Sequence, residues 1–243
     1  MLLLLSGLAA TVAYTARVEA VLTRRGLDLA EAQAAADAAI VHVIANLTEE
    51  HPTSRPTLNV PENWQFDGVA VALTVSNEAG RIDINAASDS LLNAFLRSQG
   101  AEETETARLV QQLRSFQGEG TPRPRPLETP EELQDIPGWS AQNLTDWSRS
   151  LTTYTGAADV IATEATPGAL AALDWLRDHP APGETPLAYD STGASNKRSL
   201  LGEVLRVEAI ASVGETHGRS EWIGRVTGNP AQPVLTLRWR HGV

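Results

Sequence analysis

The strongest constraint on this chain is its opening. Residues 1–16, MLLLLSGLAATVAYTA, carry no charge, and the first ionic side chain is Arg17. The run passes without a turn signal into VEAVLTRRGLDLAEAQAAADAAIVHVIANL, and no proline occurs before Pro52. Ala, Leu, Glu and Arg dominate it, and all are strong helix formers. Apolar residues recur at Val18, Val21, Leu22, Leu29, Ala32, Ala36, Ile40, Val43, Ile44 and Leu47, close to helical spacing.

Sixteen helical residues reach roughly 24 Å, short of the about 30 Å of a bilayer core. Three readings compete for them: a cleaved signal peptide, a buried core helix, or the inner stretch of a long helix whose first residues lie outside this chain. A signal peptide lacks support, because no basic residues precede the run and no good Ala-x-Ala site follows it. The unbroken pattern favours the third reading. It predicts one helix of roughly 45 residues, about 70 Å long, apolar all round in its first half and amphipathic in its second. A stalk passing from lipid to water has that form, and a helix inside one globular domain rarely does.

Beyond Asn46 the pattern changes. TEEHPTSRPTLNVPENW reads as a loop. GVAVALTVSNEAGRIDIN predicts a hairpin with strands near 68–75 and 80–84. SDSLLNAFLRSQG predicts a helix with Ser88 as N-cap and Gly100 as stop, and TETARLVQQLRSF a second one. GEGTPRPRP is a stiff exposed linker. TPEELQDIPGWSAQNLTDWSRSLTTY reads as two short helices around Ile136-Pro137-Gly138-Trp139, the first capped by Thr129 with Glu132 as its box partner. TPGALAALDWLRDHP gives a further helix. Ala87-Ser88 and Ala165-Thr166 introduce similar helices, a weak internal echo that fits paired helical units or coincidence. From Leu200 the chain returns to strands: LLGEVLRVEAIASVG, EWIGRVTGN and PVLTLRWR predict three strands of an antiparallel sheet, although Val204, Arg206, Glu208 and Ile210 do not all alternate cleanly.

Composition narrows the chemistry. Hydrophobic residues make up 42% of 243, but the aromatics are six Trp, three Tyr and three Phe, so Ala, Leu and Val do most of the packing. There is no cysteine, which excludes disulfides, thiolate metal sites and thiol nucleophiles. A net charge of −11 opposes nucleic acid binding. None of His42, His51, His179, His217 and His241 has metal-ligand spacing with another, and there is no nucleophile elbow, P-loop or GxGxxG. The chain does not read as an enzyme and no cofactor is expected. Ile136-Pro137-Gly138 is similar to the turn of a helix-hairpin-helix, which elsewhere grips DNA backbone. Here Trp139, Ser140, Gln142 and Asp146 follow it in place of basic residues. A membrane-tethered DNA-binding competence protein is therefore the alternative function, and a helical packing unit is the plainer reading of that segment.

Four stretches, in order, resemble the protein K family of the general secretion pathway, minor pseudopilins of the type II secretion system. The apolar segment ending in TARVEAVLTRR resembles the family's membrane helix and its continuation. EAGRIDINAAS resembles its Gly-(Arg/Lys)-Ile-Asn-(Ile/Leu)-Asn segment, with Asp83 in place of the first Asn. LETPEELQDIPGWSAQNLTDWSRSLTTYTG resembles a helical element ahead of a strand, and GEVLRVEAIASV through LTLRWR the closing strands. The prepilin peptidase motif is absent, and Ile161-Ala162-Thr163 stands where the family has a second Ile-Asn-x-Asn stretch.

The resemblance implies an α+β pilin-like fold: a long N-terminal helix packed on an antiparallel sheet, with an inserted all-α domain. It divides the chain into a helix over 1–47 (a membrane segment over 1–16 and a periplasmic one over 17–47), a loop and first strands over 48–85, the helical insert over 86–180, and a loop and closing strands over 181–243. It implies a single-pass inner-membrane protein with a periplasmic globular domain, placed at the tip of the pseudopilus beside general secretion pathway proteins I and J. Main pilins pair a glutamate of the apolar helix with a neighbour's amino terminus. No acidic residue precedes Glu19 here, as the resemblance leads one to expect of a tip subunit. A bulky insert also fits best where no subunit lies above it. Val18, Val21, Leu22 and Leu29 are the expected subunit-packing surface, with packing on the protein's own sheet the other reading from Leu29 onward. The resemblance also allows calcium, with Glu184, Asp190, Ser191 and Asn196 in a polar loop as candidate ligands; there is no EF-hand pattern, and a solvated loop is the other reading.

Overall fold

The computed structural model describes residues 2–48, 56–118, 120, 124–139, 146–180 and 200–242, with only the backbone course of residues 2–12. The expected rod is present as a single helix, α1, over Leu2–Thr48. It behaves as two halves. Every residue from Ala13 to Leu27 is exposed, whereas Ala32, Ala35, Ala36, Ala39, Ile40 and Val43 form a buried stripe. Their spacing of three and four places them on one face.

That stripe packs on a five-stranded antiparallel sheet of order β1-β2-β5-β6-β7, where β1 is Glu62–Phe66, β2 Val69–Asn77, β5 Val204–Val213, β6 Thr216–Asn229 and β7 Gln232–His241. Val71, Leu73 and Val75 of β2 and Leu205, Val207, Ala209 and Ala211 of β5 alternate along their strands and supply the apolar floor. Trp222 of β6 is fully buried in the same core and donates Nε1–H to Thr236 Oγ1 at 2.9 Å. The helix lies very close at Gly218, where a Cβ would overlap the Ala32 carbonyl carbon and the Gln33 nitrogen. Alanines above and glycine below permit that approach. At the rim Gln33 donates to Ser220 Oγ, which donates to Asp37, and His241 Nδ1 stands 3.1 Å from Asp37 Oδ1. This polar clasp fixes the helix against β6 and β7.

The first hairpin differs from its expected placement. Its strands are β1 and β2, and residues 80–84 are not its second arm. Asp67 and Gly68 both have positive φ, 48° and 82°, which suits a two-residue turn of the primed type and the twist of the paired strands. The Asn77-Glu78-Ala79-Gly80 stretch instead forms a 3-10 turn, capped by Asn77 Oδ1 accepting from Ala79 N at 3.0 Å, and carries the chain off the sheet.

Between β2 and β5 the chain builds a helical lobe with its own apolar core. Its elements are β3 (Ile82–Asp83), α2 (Asp89–Ser98), α3 (Glu103–Phe116), β4 (Leu151–Thr152) and α4 (Pro167–Asp178). β3 and β4 pair in parallel. Ser88 and Thr166 cap α2 and α4 by accepting from Leu91 N and Ala169 N, and these two helices pack on each other. The sequence echo thus corresponds to two helices with like caps in one pair. Pro130–Asp135 is a 3-10 helix, with Glu132 accepting from Thr129 N at 3.2 Å. Some of the linker 118–126, and much of the helix expected just after Trp139, lie outside the described residues.

Candidate functional site

Two places carry features beyond fold maintenance. The first is the exposed half of α1. Val18, Val21, Leu22 and Leu29 are 39%, 47%, 62% and 49% exposed, and Tyr14 and Leu27 accompany them. None of the four is buried against the protein's own sheet. Ala13–Glu31 projects as a rod of about 28 Å beyond the buried stripe. Among the described residues no helix is long and apolar enough to cross a membrane.

The second is the junction between sheet and lobe, on the sheet face opposite α1. Gly80 makes the junction possible: a Cβ there would overlap the Glu164 carbonyl oxygen. Ile161 N donates to Ala79 O at 2.8 Å and Thr166 N to Gly80 O at 2.9 Å, so the returning chain lies against this turn. The next residues of the same motif organise the lobe. Asp83 Oδ2 accepts from Thr155 N, Thr155 Oγ1 and Gly156 N at 3.0, 2.8 and 2.8 Å, and Asn85 clamps Leu127 by accepting from its N–H and donating to its carbonyl. Asp83, which departs from the family pattern, here accepts from four donors, the fourth being Asn85 N, which donates to Oδ1 at 2.9 Å.

Above this turn runs a chain of alternating charges. Arg206 of β5 donates from Nε to Glu78 Oε1 at 2.7 Å and from Nη2 to Glu78 Oε2 at 3.3 Å, while its Nη1 reaches Glu221 Oε2 at 3.0 Å. Arg240 joins Glu221 to Glu131, and Arg238 donates to Glu131 Oε2 at 3.0 Å and to the Tyr154 hydroxyl at 3.2 Å. Thr152 Oγ1 also donates to Glu78. Glu78 is wholly buried, and burial alone raises a carboxyl pKa. The charges of Arg206 and Arg81, with the hydrogen bonds from Arg206 and Thr152, outweigh that and hold it below its ordinary value. For Arg206 burial works against the charge, yet Glu78 and Glu221 raise its pKa still further. A cleft of about 520 Å³ opens beside this chain, lined by six arginines.

Glu184, Asp190, Ser191 and Asn196, the calcium candidates, lie in 181–199, outside the described residues. Among the described residues no group of three or more His, Asp or Glu side chains is placed to hold a metal ion. His42 is exposed and stacks on Trp64 with ring centroids 5.1 Å apart. Ile136 and Trp139 are buried in the lobe. Trp139 donates Nε1–H to Leu109 O at 3.3 Å and meets Trp147 edge-on. Ile136 and Trp139 thus anchor the turn in the core of the lobe, while Pro137 and Gly138 between them are exposed. The arginine–carboxylate chain was not anticipated; Arg206 and Glu208, polar residues alternating with Leu205, Val207 and Ala209, were its one visible trace.

A long helix lying on an antiparallel sheet, with a helical lobe emerging between two adjacent strands, is a pilin-like α+β fold. No protein-family model matches the sequence, and no curated relative matches it. Among solved structures the fold is similar to a chain in the crystal structure of the GspK–GspI–GspJ complex from the enterotoxigenic Escherichia coli type 2 secretion system. The TM-score is 0.58 at 12% identity, covering 94% of this chain and 99% of that chain. The chain therefore shares its pilin-like fold with a chain of that complex.

Proposed function

We propose that the protein is a minor pseudopilin of protein K type, a structural subunit at the tip of a type II secretion pseudopilus that assists protein export across the outer membrane. The observation that carries this reading is the uncovered half of α1. A helix that leaves its own domain with Val18, Val21, Leu22 and Leu29 exposed has a surface left for other chains or for lipid. In this reading residues 1–16 form the membrane segment in the inner membrane and the globular portion is periplasmic. The exposed stretch packs against the helices of proteins of the I and J type, as named for the neighbouring complex. The lobe supports a tip position on steric grounds, since it widens the subunit on the side of the sheet facing away from α1.

The absence of native cysteine makes the test direct. Single Cys substitutions at Val18, Val21, Leu22 and Leu29 in the full chain are co-expressed with matching Cys variants of the two other minor pseudopilins of the same secretion system. Oxidation gives cross-linked pairs at these positions, and a control Cys at the buried Ala36 gives none. Absence of any cross-link together with failure to co-purify in detergent would refute the assignment. Recovery of the full chain in the soluble fraction after cell lysis would refute the membrane placement separately.

A further inference from the structure

The cleft between lobe and sheet gathers positive charge in a chain of net charge −11. Its six arginines divide by what they already hold. Arg206, Arg238 and Arg240 are paired with Glu78, Glu221 and Glu131 as described. The other three keep unused donors. Arg81 is 6% exposed, and its Nε and Nη1 have no hydrogen-bond partner among the described residues. Its nearest carboxylate oxygen, Glu78 Oε1, is 3.5 Å from Nε and already accepts from Arg206. Arg219 meets Glu208 only at 3.8 Å. Arg149 is exposed and makes no ion pair among the described residues.

A buried guanidinium without acceptors is costly, and folded proteins rarely leave one so. Arg81 lines this cleft together with Arg149 and Arg219, so three guanidinium groups there are not committed to a close carboxylate hydrogen bond among the described residues. We propose that this cleft is an oxyanion-binding site, in which a carboxylate or phosphate group is held by Arg81, Arg149 and Arg219. The planar guanidinium fork suits both groups, giving paired charge-assisted hydrogen bonds to either. The volume of about 520 Å³ falls in the range of small-ligand sites, so the oxyanion belongs to a molecule the size of a small polyacid or a short acidic peptide. The carboxylates of the wall oppose this weakly. Glu131 and Glu221 each bridge two arginines and face the cleft as neutralised pairs. Glu208 is the competitor, and its long contact to Arg219 is the one an incoming oxyanion replaces. The N-terminal end of α4, at Thr166 and Pro167, borders the same cleft and adds the positive end of its dipole. Oxyanion binding here rests on the cleft alone and does not depend on the secretion reading.

The test uses the full chain in detergent. Citrate and inorganic phosphate are titrated separately at ionic strength fixed with sodium chloride, and thermal unfolding is followed by tryptophan emission. The expected result is a saturable rise in Tm with at least one probe; citrate alone marks a carboxylate ligand, phosphate alone a phosphate ester, and both together a general oxyanion site. The R149A/R219A variant changes side chains at the cleft mouth, keeps the wild-type Tm in chloride, and needs about tenfold or more of the probe for the same rise. A response no greater than chloride gives, or a response unchanged in R149A/R219A, would overturn the proposal.

Discussion

The two faces of the central sheet are held by opposite physics. Toward α1 the contact is dry and built from small residues: Ala32, Ala35, Ala36 and Ala39 lie over Ala209, Ala211 and Gly218. Toward the lobe the contact is ionic, with Glu78, Arg206 and Glu221 buried on β5, β6 and the turn that follows β2. Glu208 and Glu221 stand directly opposite each other across β5 and β6, a like-charge pair that is unfavourable unless cations neutralise it. The apolar face tolerates little change in shape, because backbone meets backbone. The ionic face tolerates little change in charge, because each partner is desolvated and water cannot take the place of a lost one.

The sharpest way to break that contrast is to remove one charge from the ionic face. Glu78→Ala leaves Arg206 and Arg81 buried with lost partners, and should cost about 3–5 kcal/mol in denaturant unfolding. The double variant E78A/R206M removes the orphaned charge as well and should recover much of the loss. Equal destabilisation in the single and double variants would mean that the shape of this face, rather than its charge balance, governs stability.

The apolar face should fail for the converse reason. Gly218→Val keeps charge and adds hydrophobicity, yet its Cβ overlaps α1 backbone atoms, which a rotamer change cannot relieve. Overpacking of this kind costs about 1–3 kcal/mol, and α1 should move off β6, breaking the Gln33–Ser220–Asp37 clasp. A Tm equal to wild type would show that the helix is free to ride up, and that the close approach is not what locates it.

This division also explains what was legible in the sequence. The α1 face was readable, because Ala32, Ala36, Ile40 and Val43 repeat at helical spacing and Val71, Leu73 and Val75 at strand spacing. The lobe face was not, because its residues are charged and come from Glu78, Glu131, Arg206, Glu221, Arg238 and Arg240, which only the fold brings together. Their signal was the imperfect alternation around Arg206 and Glu208, which reads as a poor strand when it marks one covered on both faces. The hairpin was misplaced through two competing turns. Asn77-Glu78-Ala79-Gly80 has turn composition, but Gly80 is required for the approach of Glu164, while Asp67-Gly68 supplies the turn between the strands. The Gly-Arg-Ile-Asp-Ile-Asn segment was recognised as a pattern, and its reason is now visible in Gly80, Asp83 and Asn85, which seat the lobe.

A pH series separates the faces without mutation. The Glu78 carboxyl has a folded-state pKa below its ordinary value of 4.5, and Glu131 is shifted the same way. A depressed carboxyl contributes stability that is fully present above the unfolded value and disappears as pH falls through the folded one. Wild-type Tm should therefore be level in this respect above about pH 5 and decline below it. E78A should decline less over the same interval, and Gly218→Val, which leaves Glu78 and Glu131 in place, should keep the part of the decline that these two carboxyls cause. Parallel curves for E78A and wild type would place the acid sensitivity elsewhere.

The smallest effect on stability is expected where neither face is involved. Leu22 is 62% exposed on the projecting half of α1, so Leu22→Ala removes little intramolecular packing and should shift unfolding by less than about 0.5 kcal/mol. Val21→Ala should behave alike. If that half of the helix exists to meet other subunits, the same substitutions should weaken co-purification with partner pseudopilins while leaving Tm unchanged. Ala36→Leu, on the buried half, should do the reverse by forcing α1 off the sheet. A variant pair that moved both readouts together would deny that the two halves of this one helix have separate roles, since separate roles require stability to reside C-terminal to Glu31 and association N-terminal to it.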